Sequence, residues 1–161
     1  MLGRTDIGLF LYINEGESFS KQEIISTDSL LNGAAADFDQ DGDEDVVATL
    51  RRGSELFADA FVVLTNDGSG TFTETLYEKD ASFGFGVSDF NGDQLPDLYF
   101  NTPTQVSGLA VWLNTPSGEF SPPRFIRTES LPSADFNGDG YIDFLTCDWG
   151  SALKIEFGGG D

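Results

Sequence analysis

The sequence predicts an all-β protein in which one four-stranded antiparallel unit is repeated along the chain. One nine-residue acidic segment that opens with Asp-Phe occurs at residues 37–45, 89–97 and 135–143. A second segment, an apolar strand ending in Asn followed by a Gly-containing turn and a Phe, recurs in step with it. No stretch of ten or more residues has the apolar spacing of an amphipathic helix, so we expect few helices.

Each full period of the repeat contains four short predicted strands. In the first full period, we expect strands at residues 31–36, 45–50, 60–66 and 71–78. In the second, we expect them at residues 83–89, 97–101, 108–114 and 119–126. Four strands in about 40–50 residues are typical of a β-propeller blade.

The second recurring segment predicts the hairpin between the third and fourth strands of each blade. Its copies run from Leu11–Asn14 to Phe19, from Val63–Asn66 to Phe72, and from Val111–Asn114 to Phe120. A fourth copy begins at Leu153 and continues to Gly158.

These periods predict an incomplete propeller of about three blades within one chain. We expect a partial blade at 1–29, complete blades at 30–79 and 80–126, and a partial blade at 127–161. Because propellers close with about four to eight blades, we expect either a longer protein or a homo-oligomer to complete the ring. In a homo-oligomer, residues 19–25 of one copy would supply the strand missing from residues 127–157 of another.

The composition restricts the classes of function. The chain has 28 acidic and 8 basic residues and a formal net charge of -20, which disfavours nucleic acid and anionic membrane surfaces as partners. There is no His to activate a nucleophile, and the one Cys, Cys147, is expected to be a buried thiol in a strand. No apolar run approaches the ~20 residues that span a bilayer.

Each acidic segment has the layout of a calcium-binding loop. We call residues 37–45, 89–97 and 135–143 the first, second and third loops. Each offers side-chain oxygens at positions 1, 3, 5 and 9 and a main-chain carbonyl at position 7. Such a set suits a hard cation that takes six to eight oxygen ligands. The sequence therefore predicts two to three Ca²⁺ ions per chain.

Three other interpretations of the loops fit less well. An EF-hand requires Glu at position 12, where this chain has Ala48, Phe100 and Thr146. Asp, Asn and Gly also favour ordinary turns, but that preference does not explain alternating oxygens in three copies. Catalysis by paired carboxylates needs two acids in different environments, whereas these loops are equivalent, so we expect no enzymatic activity.

The second loop differs from the other two at position 6. Gln94 stands where Gly42 and Gly140 stand in the first and third loops. A left-handed backbone at a non-glycine residue costs about 1–2 kcal/mol. We therefore expect the first and third loops to bind calcium more tightly than the second.

The chain resembles the FG-GAP/VCBS repeat family, which includes the calcium-binding blades of integrin α-subunit propellers. The motifs that carry the resemblance are residues 36–47 and 134–145. In addition, Gly84-Phe85-Gly86 resembles the Phe-Gly element that the letters FG in the family name denote. The resemblance implies calcium in the hairpin between the first and second strands of each blade. The side-chain ligands that it implies are Asp37, Asp39, Asp41, Asp45, Asp89, Asn91, Asp93, Asp97, Asp135, Asn137, Asp139 and Asp143. The carbonyl ligands that it implies are those of Asp43, Leu95 and Tyr141.

The resemblance implies a function in binding rather than in catalysis. We expect an extracellular or cell-surface module for adhesion or protein interaction, with structural calcium. The alternative is a carbohydrate-binding propeller or an accessory domain of a polysaccharide-active surface enzyme. In related propellers the protein or glycan ligand binds the face opposite the calcium loops. Here the connections on that face would be 51–59, 102–107, 148–152, 26–30, 79–82 and 127–133.

Overall fold

The computed structural model of the chain describes residues 8–27, 29–52, 58–82, 84–102, 108–127, 133–147 and 153–156. Every regular element within these ranges is a β-strand, and the strands form antiparallel sheets that do not close into a barrel. The expected all-β fold of incomplete propeller blades is confirmed. Across the same ranges there is no helix with the length and apolar character needed to cross a membrane.

The described strands form four sheets, which we name blades 1 to 4 in chain order. Blade 1 consists of β1 (Leu9–Asn14) and β2 (Phe19–Ile25). Blade 2 consists of β3 (Leu30–Ala36), β4 (Asp45–Leu50), β5 (Ala58–Asn66) and β6 (Phe72–Ser82). Blade 3 consists of β7 (Phe85–Ser88), β8 (Asp97–Thr102), β9 (Gly108–Trp112) and β10 (Arg124–Arg127). Blade 4 consists of β11 (Ser133–Ala134), β12 (Asp143–Cys147) and β13 (Leu153–Glu156).

The apolar core lies between the blades rather than within any one of them. Between blades 2 and 3, the ring of Phe61 lies 5.1 Å from that of Phe100 and 5.2 Å from that of Trp112. Separate apolar clusters join blade 1 to blade 2 and blade 3 to blade 4. Neighbouring sheets therefore bury the faces that they turn toward each other, which is how repeated blades form a continuous core.

The first strand of each complete blade has small residues where it approaches other atoms closely. β3 contains Gly33 followed by three alanines, and it contacts β7 of the next blade. In β7, a Cβ added at Gly86 would collide with the ring of Tyr99 on the paired strand. A larger residue at position 86 would therefore displace that ring.

The last strand of blade 3 is shorter than the sequence led us to expect. Instead of a strand at 119–126, the chain has an isolated bridge between Asn114 and Phe120, and then β10. Pro122 and Pro123 interrupt the pairing because proline has no backbone N–H to donate to a neighbouring strand. By contrast, β6 extends beyond the expected 71–78 and reaches Ser82.

The predicted hairpins between third and fourth strands form in register. Asn14 pairs with Phe19 and Asn66 with Phe72, and Asn114 makes its bridge with Phe120. In the fourth copy, residues 153–156 form β13 as expected, whereas residues 157–158 lie outside the described part of the chain. Cys147 ends β12, but its side chain also lies outside that part.

Candidate metal centres

Each acidic loop is the hairpin connection between the first and second strands of its blade. The first loop joins β3 to β4, the second joins β7 to β8, and the third joins β11 to β12. Position 9 of each loop is the first residue of the second strand. The acidic residues of the three loops are therefore held at equivalent places in three successive blades.

The position-9 aspartates Asp45, Asp97 and Asp143 are completely buried and hold each loop against its sheet. One carboxylate oxygen accepts a hydrogen bond from the backbone N–H of position 2, at 2.9, 2.8 and 2.8 Å in the three loops. In blades 2 and 3, the other oxygen accepts from the N–H of Asn66 (2.8 Å) or Asn114 (2.7 Å). Position 9 therefore ties the loop to the end of the third strand.

The other side chains of the loops accept hydrogen bonds from the loop backbone in a shared pattern. The position-5 aspartate accepts from the N–H of position 7 at 2.9 Å in all three loops. The position-1 aspartate accepts from the N–H of position 6 at 3.0, 2.8 and 3.0 Å. The side-chain oxygen of position 3 accepts from the N–H of position 5 at 3.2, 3.2 and 2.9 Å. These bonds curl each loop around its own oxygen atoms.

The first loop brings three carboxylates close together. Carboxylate oxygens of Asp37, Asp39 and Asp45 lie within 4.8 Å of one another. One oxygen of Asp37, Oδ1, is buried and has no hydrogen-bond partner among the described residues. These three residues could hold a metal ion, and the oxygen without a donor is the atom that a cation would satisfy.

The second and third loops satisfy the equivalent oxygen with a backbone donor. Oδ1 of Asp89 accepts from the N–H of Gly92 at 2.8 Å, and Oδ1 of Asp135 accepts from the N–H of Gly138 at 2.6 Å. In the first loop, position 4 is Gln40, and no such bond forms. Among the described residues of the three loops, Asp37 is therefore the one position-1 aspartate with a buried oxygen that has no donor.

Position 3 is Asn in the second and third loops, and its amide group faces the neighbouring aspartate. Asn91 Nδ2 donates to Asp93 at 2.9 Å, and Asn137 Nδ2 donates to Asp139 at 2.8 Å. Within the described ranges, neither loop brings three acidic groups together as the first loop does. The ligand roles of the residues in all three loops, including the position-7 carbonyls, remain predictions.

Left-handed backbone strain at a non-glycine residue occurs in two loops, whereas the sequence led us to expect it only at Gln94 of the second loop. Positions 4 and 6 have positive φ in all three loops, and both are Gly only in the third. Gln94 has φ of 69°, as expected for position 6, but Gln40 at position 4 of the first loop has φ of 60°. The first loop thus has the same kind of strain as the second. This removes the reason for expecting the first loop to bind calcium as tightly as the third and more tightly than the second.

Burial makes the negative charge of two position-9 carboxylates unfavourable. Desolvation raises the pKa of Asp97 to about 6, and the carboxylates of Asp93 and Asp89 add to that rise. Desolvation also raises the pKa of Asp45, with contributions from Asp39 and Asp41. A bound cation would oppose both effects, since an opposite charge favours the ionised carboxylate.

The sequence analysis did not predict the roles of two asparagines in holding the loops. Besides the bonds from Asn66 and Asn114 to position 9, Asn114 Nδ2 donates to the carbonyl of Phe38 in the preceding blade at 2.7 Å. The recurring Asn at the end of each third strand was visible in the sequence. Its repetition in register was the signal that could have identified these contacts.

The strand meanders, the loops between first and second strands and the packing between sheets define a repeat protein of the β-propeller class. A family model described as the FG-GAP-like repeat matches residues 37–100 and 89–146, which together cover more than half of the chain. The chain therefore belongs to the FG-GAP-like repeat family. Comparisons with curated proteins and with solved structures gave no match.

Proposed function

We propose that this chain is a calcium-stabilised, non-enzymatic interaction module of the extracellular space or cell surface. The observation that carries the proposal is the buried Oδ1 of Asp37, which has no hydrogen-bond donor among the described residues. A buried carboxylate oxygen without a donor is strongly unfavourable. A calcium ion would supply the missing interaction.

The spacing of the oxygens in the first loop suits calcium. Ca²⁺–O distances are about 2.3–2.6 Å, so two oxygens on one ion lie no more than about 5 Å apart. The oxygens of Asp37, Asp39 and Asp45 meet that limit, since all lie within 4.8 Å of one another. Carboxylate and carbonyl oxygens also suit calcium better than they suit softer metals, which favour sulfur ligands. The predicted ligand Asp41 and the carbonyl of Asp43 would complete the shell.

Calcium in this loop would act on stability rather than on a reaction. The ring of Phe38, at position 2 of the first loop, is buried against Phe120 of the next blade, with the ring centroids 5.6 Å apart. Ordering the loop therefore also orders a contact between blades. A ligand that binds only the native state stabilises it by about 2.7 kcal/mol at a hundredfold excess over Kd. Sites of the kind found in extracellular modules have Kd of about 10⁻⁴–10⁻³ M.

Calcium titration of the chelator-stripped protein tests this proposal. We expect calorimetry to detect two to three ions per chain and calcium to raise the melting temperature. Asp39→Ala is expected to remove one ion, whereas the control Glu74→Ala, which changes an exposed acid on β6, leaves the number unchanged. Absence of binding heat and of any change in melting temperature at millimolar calcium would contradict the proposal.

A second candidate function is carbohydrate binding, and a cleft between blades 2 and 3 favours it. The cleft has a volume of about 370 Å³, and its lining includes Trp112, Lys79 and Phe125, a residue that is 64% exposed. The indole N–H of Trp112 is buried and has no acceptor among the described residues. An exposed aromatic ring beside polar donors suits a sugar. A glycan array probed with and without calcium distinguishes this function from protein adhesion.

A further inference from the structure

Two of the three acidic loops contain the dipeptide Asn-Gly at positions 3 and 4. These dipeptides are Asn91-Gly92 in the second loop and Asn137-Gly138 in the third. Another Asn-Gly pair, Asn32-Gly33, lies within β3. In such a pair the asparagine side chain can lose ammonia without an enzyme, because glycine has no Cβ to obstruct an attack by its own backbone nitrogen.

The loss of ammonia is an attack within the chain itself, written here for the second loop. The backbone nitrogen of Gly92 attacks Cγ of Asn91 and gives up its proton as the new N–Cγ bond forms. The Cγ–Nδ2 bond breaks, and Nδ2 takes up a proton and leaves as ammonia. The product is a cyclic succinimide. Water then opens the ring at either of its carbonyl carbons, which leaves aspartate or isoaspartate at position 91.

The second loop supplies a hydrogen-bond partner to each polar atom that takes part in this reaction. The N–H of Gly92 donates to Oδ1 of Asp89 at 2.8 Å, so a carboxylate lies where a general base would accept the proton. Oδ1 of Asn91 accepts from the N–H of Asp93 at 3.2 Å, and this donor would stabilise the negative charge that develops on that oxygen. Nδ2 of Asn91 donates to Oδ2 of Asp93 at 2.9 Å, which fixes the orientation of the amide.

The third loop repeats all three of these hydrogen bonds. The N–H of Gly138 donates to Oδ1 of Asp135 at 2.6 Å. Oδ1 of Asn137 accepts from the N–H of Asp139 at 2.9 Å, and its Nδ2 donates to Oδ2 of Asp139 at 2.8 Å. Every one of these bonds joins two residues of the same loop. The arrangement is therefore set by the loop sequence and does not depend on contacts with a neighbouring blade.

Water can reach the second loop even with the loop of the next blade beside it. A Cβ added at Gly92 would lie 3.2 Å from the carbonyl oxygen of Gly140 in the third loop, so the two loops are close. Gly92 and Asp93 are nevertheless exposed. The water that opens the succinimide therefore has access to the place where it forms.

The pair in β3 is also exposed, but its backbone is held by strand pairing. Asn32 pairs with Thr49 and Gly33 pairs with Ala48 of β4. The N–H of Asn32 donates to Oγ1 of Thr49 at 3.2 Å, and that hydroxyl donates to the carbonyl of Asn32 at 3.4 Å. Rotation of the backbone toward a succinimide would break this pairing. Exposure alone therefore does not distinguish the Asn-Gly pairs, whereas the surrounding hydrogen bonds do.

From this arrangement we propose that Asn91 and Asn137 are sites of spontaneous deamidation, at which the position-1 aspartate of the same loop assists the loss of ammonia. The change converts position 3 from an amide to a carboxylate. The second loop then carries acids at positions 1, 3 and 9, which is the set that lies within 4.8 Å in the first loop.

The new carboxylate has a consequence for calcium, and this consequence rests on the proposed function. Because calcium affinity depends on the number of charged ligands, Asn91→Asp is expected to bind calcium more tightly at the second loop than the wild type does. Calorimetry measures the difference, and an unchanged or weaker site would overturn it. Absence of calcium binding in both proteins would contradict the proposed function instead. Deamidation is measured separately, by mass.

Peptide mapping by mass spectrometry tests the proposal on the full chain, incubated with a chelator so that no metal occupies the loops. Deamidation at Asn91 and at Asn137 is expected to be about tenfold faster than at Asn32, less than the ~100-fold or more that a general base contributes in an enclosed site. In guanidinium chloride the same Asn-Gly pairs are expected to react at similar rates, because the unfolded chain has none of these bonds. Equal rates in the folded chain, or a faster reaction at Asn32, would overturn the proposal.

The variant Asp89→Asn tests the role of the carboxylate. It keeps an oxygen that can accept from the N–H of Gly92 but cannot take up the proton. We expect the rate at Asn91 to fall by about tenfold, while Asn137 in the same molecule keeps its wild-type rate and serves as the control. Asp135→Asn is expected to slow Asn137 and not Asn91. Circular dichroism checks that both variants are folded, and a folded Asp89→Asn protein with an unchanged or raised rate at Asn91 would overturn the assignment.

Discussion

Replacing the loop phenylalanine should have very different effects in the first and third loops. Phe38 is fully buried between blades 2 and 3, and its ring contacts Phe120 edge-on. Truncation of a buried Phe to Ala costs about 3–5 kcal/mol, so Phe38→Ala should lower the free energy of unfolding by that amount. Phe136 occupies the same loop position but is half-exposed. Phe136→Ala should therefore cost about 1 kcal/mol, in proportion to the smaller apolar area that it buries.

Urea unfolding followed by tryptophan fluorescence measures both losses. The comparison isolates the ring, because both substitutions leave the backbone N–H that donates to Asp45 or Asp143 in place. Equal losses at the two positions would refute the reasoning. Equal losses would mean that the buried ring of Phe38, between blades 2 and 3, stabilises the fold no more than the half-exposed ring of Phe136.

Two further predictions concern the loops without metal. In the presence of a chelator, Gln40→Gly and Gln94→Gly should each raise the free energy of unfolding by about 0.5–1 kcal/mol. The reason is that the left-handed strain that is relieved exceeds the extra conformational entropy that glycine loses on folding. Urea unfolding measures this change, and Gly138→Gln should lower the free energy of unfolding instead. The raised pKa of Asp97 should make the chelated protein more stable at pH 5 than at pH 7.5. A carboxyl whose pKa is higher in the folded state stabilises most below its unfolded value of 3.8, and that contribution is lost as the pH rises through about 6. The difference between the two pH values is about 1–1.5 kcal/mol, and a parallel pH profile for Asp97→Asn would contradict the assignment.

The fold could be predicted from the sequence because the repeat makes each signal appear several times. The acidic loops and the Asn-to-Phe hairpins occur in fixed order, and both form as expected in blades 2 and 3. The strand limits were less predictable, since they depend on single residues. Pro122 and Pro123 shorten the last strand of blade 3, although its apolar residues suggested a longer one.

The internal geometry of the loops was harder to predict because it depends on backbone angles. A comparison of residue types at position 6 singled out Gln94 but gave no reason to suspect Gln40. The sequence also did not indicate that, among the position-1 aspartates of the three described loops, Asp37 keeps a buried oxygen without a donor. That difference arises from one N–H at position 4, which donates in the second and third loops but not in the first.

The position-9 aspartate connects calcium binding to the packing of the blades. Asp45 is a predicted ligand, and its two oxygens accept from the N–H groups of Phe38 and Asn66. Phe38 in turn packs against blade 3, and its carbonyl accepts from Asn114. A cation at Asp45 would therefore act on the loop, on the sheet that holds it and on the next blade. Because these contacts share residues, their free energies are not expected to add independently. Removing the metal should consequently weaken the contact between the blades as well as the loop itself.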